Sequence, residues 1–564
     1  MSHPNNPTIA IIGSGFGGLG FAIWLKRHWN FEDFVILEKA SEVGGTWRGC
    51  SSDVPIHWYS LSTDLKPDWR ASHGFQSEIH DYLLDLTSKY SLREHCVFNT
   101  LVLSADWDKT IESWRIVTKD LKTGETKETI AKILISAAGI LHTPYTPYIP
   151  GAEEYNGISF HSAQWRHDVD LHGKRVAVLG NGCSATQFVP IIAQDSSTQI
   201  TQFCRTPMWY VGREKPPYSE SSKWIFAHIP FIMRIHRYMI AARYELTWLF
   251  IFFWKGKLGD YLRKAYSKYM RDTAPVEYAD KLIPSYPPGC KRFILDTGYL
   301  TALHQPNLTP NFDGVDKITA DGIVTKKGEH LPFDVIIYAT GFKTDGWYYD
   351  LRGRTGQTLD EYFDAHGGPT AYLGSTIPGF PNFFTIAGPN TTTGHASVVF
   401  SEEVQFDYAL QLYEPIISGV LSTIEPTVSA TDAYNHMIDR RLSASVWSNC
   451  TSWYRTGATG RIFATFPGPL SMYWWYMRRP NWQHYQVQGG SKKFWEMKRR
   501  LAGVLRLMLT FGSVGLGGLI GYFWMEGTLG AVLHELSLRG TGAARQIVTG
   551  MAGVFGEYNL ITRA

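Results

Sequence analysis

The chain has 564 residues, too many for one ordinary domain and enough for two or three. Hydrophobic residues make up 44% and charged residues 19%, which excludes a disordered protein. Net charge is +3, from 54 basic and 51 acidic side chains, and no long Lys/Arg run appears, so a nucleic-acid binder is excluded in favour of a near-neutral enzyme. The six cysteines, Cys50, Cys96, Cys183, Cys204, Cys290 and Cys450, form no CxxC pair. That scatter argues against a disulfide scaffold, a zinc site and a dithiol flavoprotein reductase, and it fits a reducing compartment. No His/Cys/Asp/Glu cluster has ligand spacing, so no metal is assigned. The first eight residues are polar and lead straight into a strand, the pattern of a chain without a signal peptide.

Residues 8–12 (TIAII) form a short apolar run of the kind found in buried parallel strands. The turn GSGFGG follows at 13–18, then a helical stretch over 19–29 and a second strand over 34–37 that ends at Glu38. This is a complete βαβ unit with the GxGxxG dinucleotide fingerprint. Gly13 permits the tight turn, Gly15 lets a pyrophosphate approach the backbone, and Gly18 allows close helix–strand packing. Glu38 stands where a carboxylate accepts from ribose hydroxyls.

The pattern repeats. A strand over 175–179 (RVAVL) precedes GNGCSA at 180–185, a helix continues over 185–194, and a strand over 199–204 ends at Arg205. Glu38 lies 25 positions after Gly13, and Arg205 lies 25 positions after Gly180. An acid at this place suits a free 2′-hydroxyl and repels a 2′-phosphate, whereas an arginine grips the phosphate. The first unit is therefore expected to bind FAD and the second NADPH.

Between these units and the C-terminus, residues 222–270 are aromatic and basic, without glycine until Gly256, and mostly helical in their apolar spacing. They read as a helical insertion over the active site, suited to an apolar substrate, or else as a domain-packing surface. Its run 246–254 is too short to span a bilayer. Residues 507–525 carry no charge over 19 positions and follow a basic stretch that would stay in the cytosol. They read either as a membrane anchor or as a glycine-rich buried helix pair.

An ordered series of further motifs is similar to those of the class B flavoprotein monooxygenases, the group that contains Baeyer–Villiger and flavin-containing monooxygenases. GGTW at 44–47, DVPIHWYS at 53–60, ISAAG at 135–139, RTPMW at 205–209, DVIIYATGF at 334–342, PNFF at 381–384 and GPN at 388–390 carry the resemblance, which spans residues 8–480. It implies an α/β fold with two Rossmann-type dinucleotide-binding domains and a helical insertion. The FAD domain takes 1–145 and 345–480, the NADPH domain 146–222 and 290–344, and the insertion 223–289, with an apolar extension over 490–564.

Within the group, Tyr155, Gly157, His161 and Trp165 follow the Baeyer–Villiger fingerprint FxGxxxHxxxW, with Tyr155 for Phe and Arg166 in place of the usual Pro or Asp. A second departure is the segment 48–52, shorter than the family's loop beside the flavin. By this resemblance Arg292, in KRFILDTGY at 291–299, is the catalytic arginine, oriented by Asp53. Arginine stays charged at any working pH and suits a peroxide anion and its tetrahedral ketone adduct. The expected cofactor contacts are Gly13, Gly15, Phe16, Gly18, Glu38, Thr46, Trp47, Asp53, Tyr59 and Val102, then Gly180, Asn181, Gly182, Cys183, Ser184, Ala185, Thr186, Arg205, Thr206 and Lys291. Lys291 is a second 2′-phosphate contact. His161 is expected to couple domain motion to catalysis, and His57 to pack. The activity implied is oxidation of an apolar ketone to an ester or lactone with O₂ in secondary metabolism; hydroxylation or N/S-oxygenation stands as the alternative.

Overall fold

The computed structural model describes residues 6–48, 52–212, 216–248, 255–344, 346–394, 396–490 and 497. Two five-stranded parallel sheets organise residues up to 489. The first runs Phe383–Thr385, Ile133–Ser136, Ile9–Ile12, Phe34–Leu37, Cys96–Val97 from edge to edge. The second runs Leu308–Asn311, Gln199–Phe203, Arg175–Leu179, Val335–Tyr338, Ile158–His161. Each places its glycine-turn strand at the centre. Both central strands are buried at nearly every position, which is why they read as unbroken apolar runs rather than alternating ones.

The two folds differ in their last edge. The first sheet is completed from far downstream by Phe383–Thr385, the second from upstream by Ile158–His161. The chain thus leaves the first fold, builds the second, and returns. Helix Val398–Ile417 then packs on helix Phe16–Trp29, with Phe406 edge-on to Trp24 at 5.2 Å. Gly20 makes room for this: a Cβ there would lie 2.6 Å from the Phe406 ring.

The helix starts expected at 19 and 185 begin earlier, at Phe16 and Cys183, directly after the glycine turns. The insertion is helical, with Glu220–His228, Pro230–Glu245, Lys257–Thr273 and Val276–Leu282. Among the described residues no helix is long and apolar enough to cross a membrane; 507–525 lies outside them.

Among the described residues the scattered cysteines build no scaffold, but two of them pair. Cys290 and Cys450 form a disulfide, with Cα atoms 6.1 Å apart and 160 positions between them in the chain. Spacing gave no hint, because tertiary folding alone brings them together. Cys96, Cys183 and Cys204 take part in no disulfide.

Candidate active site

The two glycine turns are built alike. Gly13 has φ +100° and Gly180 φ +117°, and a Cβ on either would strike a carbonyl oxygen of the neighbouring strand's exit, Ala137 at 2.6 Å and Ala339 at 2.5 Å. Gly18 is closer still, its Cβ 1.9 Å from the Gly13 oxygen, so the first helix can approach only without a side chain. In the second fold Ala185 takes that position, fully buried. Gly15 faces Gly45, whose own Cβ would lie 3.0 Å from the Gly15 Cα, and at Gly182 a Cβ would meet nothing within 4 Å. Neither helix carries an acidic residue in its first turn or a side-chain cap at Gly15 or Gly182. The first backbone N–H groups of both helices thus suit a pyrophosphate.

Around the first turn, Phe16 meets Tyr59 at 5.7 Å and Trp47 at 6.1 Å, and Trp47 meets Tyr59 at 4.8 Å. The Thr46 hydroxyl donates to the Leu141 carbonyl. Val102 is buried in the core with Val35 and Leu37. Glu38 follows its strand as expected, but it is buried and already engaged. One oxygen accepts from the Ser14 N–H and hydroxyl at 2.8 and 2.7 Å, the other from the Ala40 N–H at 2.8 Å.

In the second fold, Asn181 donates to the Thr206 carbonyl at 2.9 Å, tying the glycine turn to the segment after Arg205. The Thr186 hydroxyl donates within its own helix, and Ser184 is partly exposed there. Arg205 is exposed. Lys291 lies over the Tyr286 ring at 5.1 Å, while the Tyr286 hydroxyl donates to Pro207 and Trp209 donates to the Tyr286 carbonyl. These contacts bring Lys291 toward Arg205. Burial, and after it the positive charge of Arg205, lower the Lys291 pKa. Two cations facing one another make a place for an anion.

Arg292 reaches Asp53 in a two-pronged pair, Nε to Oδ2 at 2.7 Å and Nη2 to Oδ1 at 2.6 Å, with both side chains 27% exposed. The carboxylate raises the guanidinium pKa further, against the effect of burial. The pair joins the loop at 53–60, which packs by Tyr59 against Phe16 of the first fold, to the second fold's loop at 289–292. Tyr454 and Cys183 lie close to Arg292. Tyr454 is buried, and burial pushes its hydroxyl up to about 12, so it remains protonated. No motif marks Tyr454. The adjoining disulfide Cys290–Cys450 brings its segment to Arg292, a link only the folded chain contains.

His57 is fully buried among Tyr218, Phe226 and His236, with ring centroids 4.9 to 5.2 Å away, and burial lowers its pKa to about 3. It is a neutral packing residue. His161 accepts from the Ala163 N–H at its Nδ1 and is lowered by burial. Trp165 packs on Phe160 and Phe188. The two substitutions in that fingerprint are locally satisfied: the Tyr155 hydroxyl donates to Phe333, and exposed Arg166 forks onto Asp168. At the carboxyl ends of strands Ile133–Ser136 and Phe383–Thr385 a pocket opens between Ala138, Gly139, Trp347, Tyr348 and Gly388, where ligands of open α/β sheets bind.

Residues 62–221 match the flavin-binding monooxygenase-like family and residues 11–77 an NAD(P)-binding Rossmann-like domain. The chain is 35% identical over 493 residues to a Baeyer–Villiger monooxygenase of Streptomyces coelicolor, covering 85% of this chain and 92% of the relative. The chain belongs to the Baeyer–Villiger monooxygenase family. A second such monooxygenase, from Pseudomonas aeruginosa, is 36% identical over 472 residues, 82% of this chain and 87% of that one. A solved steroid monooxygenase bound to NADP superposes with a TM-score of 0.73 at 26% identity, over 86% of this chain and 100% of that one. This family member is thus a flavoprotein monooxygenase with two Rossmann-type domains.

Proposed function

We propose that the chain uses FAD, NADPH and O₂ to convert an apolar ketone into an ester or lactone. The observation that carries this reading is the Arg292–Asp53 fork between the two dinucleotide folds. We assign FAD to the first fold and NADPH to the second. Bound FAD, reduced by NADPH, supplies the electrons that activate O₂. The protein's share is position, charge and exclusion of water.

Gly13, Gly15 and Gly18 hold the first turn open to the FAD pyrophosphate, and Phe16, Trp47 and Tyr59 form an aromatic wall beside it. Glu38 braces the turn through Ser14 and keeps lone pairs for ribose hydroxyls. Gly180, Gly182 and the start of the second helix receive the NADPH pyrophosphate, while Arg205 and Lys291 grip its 2′-phosphate. With FAD bound, Arg292 would stabilise the negative charge that develops on oxygen beside the ketone. Asp53 fixes the guanidinium plane, and Tyr454 adds a protonated hydroxyl beside it.

The test is turnover of a cyclic ketone with NADPH under labelled O₂, with a thioether run in parallel. One labelled oxygen atom in the ester or lactone is expected, with the other leaving as water. Arg292→Ala should slow ketone oxidation by about 10²–10³-fold. Sulfoxidation of the thioether with no ketone product from the unmodified enzyme would overturn the reading in favour of heteroatom oxygenation.

A further inference from the structure

An amphipathic helix in a folded protein normally turns its apolar stripe inward. The insertion helix Pro230–Glu245 buries Met233 but leaves a row of apolar side chains on the outside. Its buried side carries Arg237, only 5% exposed, which donates to the His57 and Ser60 carbonyls at 2.7 Å each and pairs with buried Glu403 at 3.1 Å. That buried charge is well satisfied, and it fixes the rotation of the helix about its axis. The consequence is on the opposite side. Phe231, Ile235, Tyr238 and Met239, with Leu246 just past the helix end, follow one another at intervals of four, three, one and seven, which keeps them on one side, and they face solvent, with Phe231, Tyr238 and Met239 at 62%, 67% and 66% exposure. Single exposed apolar residues are ordinary, but a continuous stripe along one helix marks an interaction surface.

A second element extends the stripe. The Glu245 carboxylate at the helix end accepts from the Leu470 and Ser471 N–H groups, so helix Leu470–Met477 starts where the first helix stops. Its outer side exposes Trp474 and Trp475, and the Arg478 guanidinium lies 3.3 Å from the Trp475 ring centroid. Exposed Arg234 and Arg243 interleave with the apolar stripe. Residues 223–264 contain eight Lys and Arg against two acidic residues; Arg237 is turned inward onto Glu403 and Lys223 pairs with Glu220, which leaves six others, while the acidic Glu245 is occupied in capping the next helix.

We propose that this face docks onto an anionic lipid surface. Apolar side chains with tryptophan, tyrosine and interleaved arginine suit the boundary between acyl chains and headgroups, where a basic amphipathic helix lies in the membrane plane. The positive charge selects anionic headgroups. A second copy packed through the same face would set Arg234 and Arg243 against like charges, which disfavours self-association as the occupant.

The test is co-sedimentation of the full-length holoenzyme with phosphatidylcholine vesicles, with and without phosphatidylserine. The expected result is stronger binding to the phosphatidylserine vesicles that weakens as salt is raised. Exchanging Tyr238 and Met239 for glutamate places two charges on the apolar stripe and should lower the vesicle partition coefficient by about tenfold or more. Flavin absorbance per chain and the melting temperature should stay unchanged, because both side chains point to solvent. Arg243→Glu should lower binding to phosphatidylserine vesicles more than to phosphatidylcholine alone. The proposal is overturned if the unmodified enzyme binds neither vesicle. It is overturned equally if Y238E/M239E binds like the unmodified enzyme, which would put attachment elsewhere in the chain. Self-association in sedimentation velocity that the same exchange abolishes, with vesicle binding intact, would assign the face to a second copy instead. None of these readouts involves turnover, so the proposed chemistry and this surface fail independently.

Discussion

Replacing Arg292 by lysine keeps a positive charge at the junction of the two folds but removes the fork that orients it. In the folded chain the guanidinium makes two bonds to Asp53, at 2.7 and 2.6 Å, from side chains that are each 27% exposed. A buried hydrogen bond to a charged group contributes about 1.5–3 kcal/mol, and partial exposure pulls a pair of this kind toward the lower end. Losing the fork should therefore cost about 1.5 kcal/mol, or roughly tenfold in kcat for ketone oxidation. Arg292→Ala removes the cation itself, and losing a preorganised stabiliser of an oxyanion costs about 10²–10³-fold in kcat. Asp53→Asn should resemble Arg292→Lys, and combining the two should cost much less than the product of the single effects, because both break one pair. The assay is labelled-oxygen incorporation into the ester, with NADPH oxidation followed in parallel. Continued NADPH oxidation without ester would place the defect after cofactor binding. Ketone oxidation by Arg292→Ala within about threefold of the unmodified enzyme, or fully multiplicative losses in the double variant, would refute the reasoning.

Removing either cation of the proposed phosphate grip, by Arg205→Ala or Lys291→Ala, should raise KM for NADPH by about 10- to 100-fold and leave KM for NADH nearly unchanged; equal changes for both coenzymes would count against the assignment. Glu402 is fully enclosed, and burial, reinforced by Glu403, raises its pKa from an ordinary 4.5 to about 8. The folded state therefore keeps a proton that the unfolded chain releases, so this contribution to stability is present below about 4.5 and is lost as pH climbs toward about 8. Melting temperatures of Glu402→Gln should fall less steeply across that window than those of the unmodified protein, and parallel profiles would contradict it. Cys450→Ser opens a cross-link that spans 160 positions, worth at most about 5 kcal/mol in chain entropy. The variant should melt lower in non-reducing buffer, match the unmodified protein under reductant, and oxidise ketone more slowly because Cys290 adjoins Lys291 and Arg292; unchanged melting with and without reductant would refute it.

The two dinucleotide folds were legible from the sequence because their determinants are local. A βαβ unit lies within about thirty consecutive residues. Its strands are apolar runs buried on both faces, and its turns need glycine where a Cβ would strike a carbonyl, as at Gly13 and Gly180. The matching positions of Glu38 and Arg205 are likewise fixed by counting along the chain. Local patterning also marked the insertion as helical.

It did not say which way the helix Pro230–Glu245 would face. A mixed stripe of arginine and apolar residues is compatible with either orientation, and only the carbonyls of His57 and Ser60 with the carboxylate of Glu403 decide that Arg237 turns inward. The disulfide and Tyr454 were hidden for the same reason. Cys290 and Cys450 are 160 positions apart, and Tyr454 sits beside an arginine far upstream. Glu38 was placed correctly in the chain, yet its bonds to Ser14 and Ala40 appear only once the turn has closed. Short-range sterics and periodicity thus determined the two folds and their order. The meeting of loops 53–60, 289–292 and 446–454 around Arg292 was left to tertiary packing, because contacts between distant segments leave no periodic trace in a single sequence.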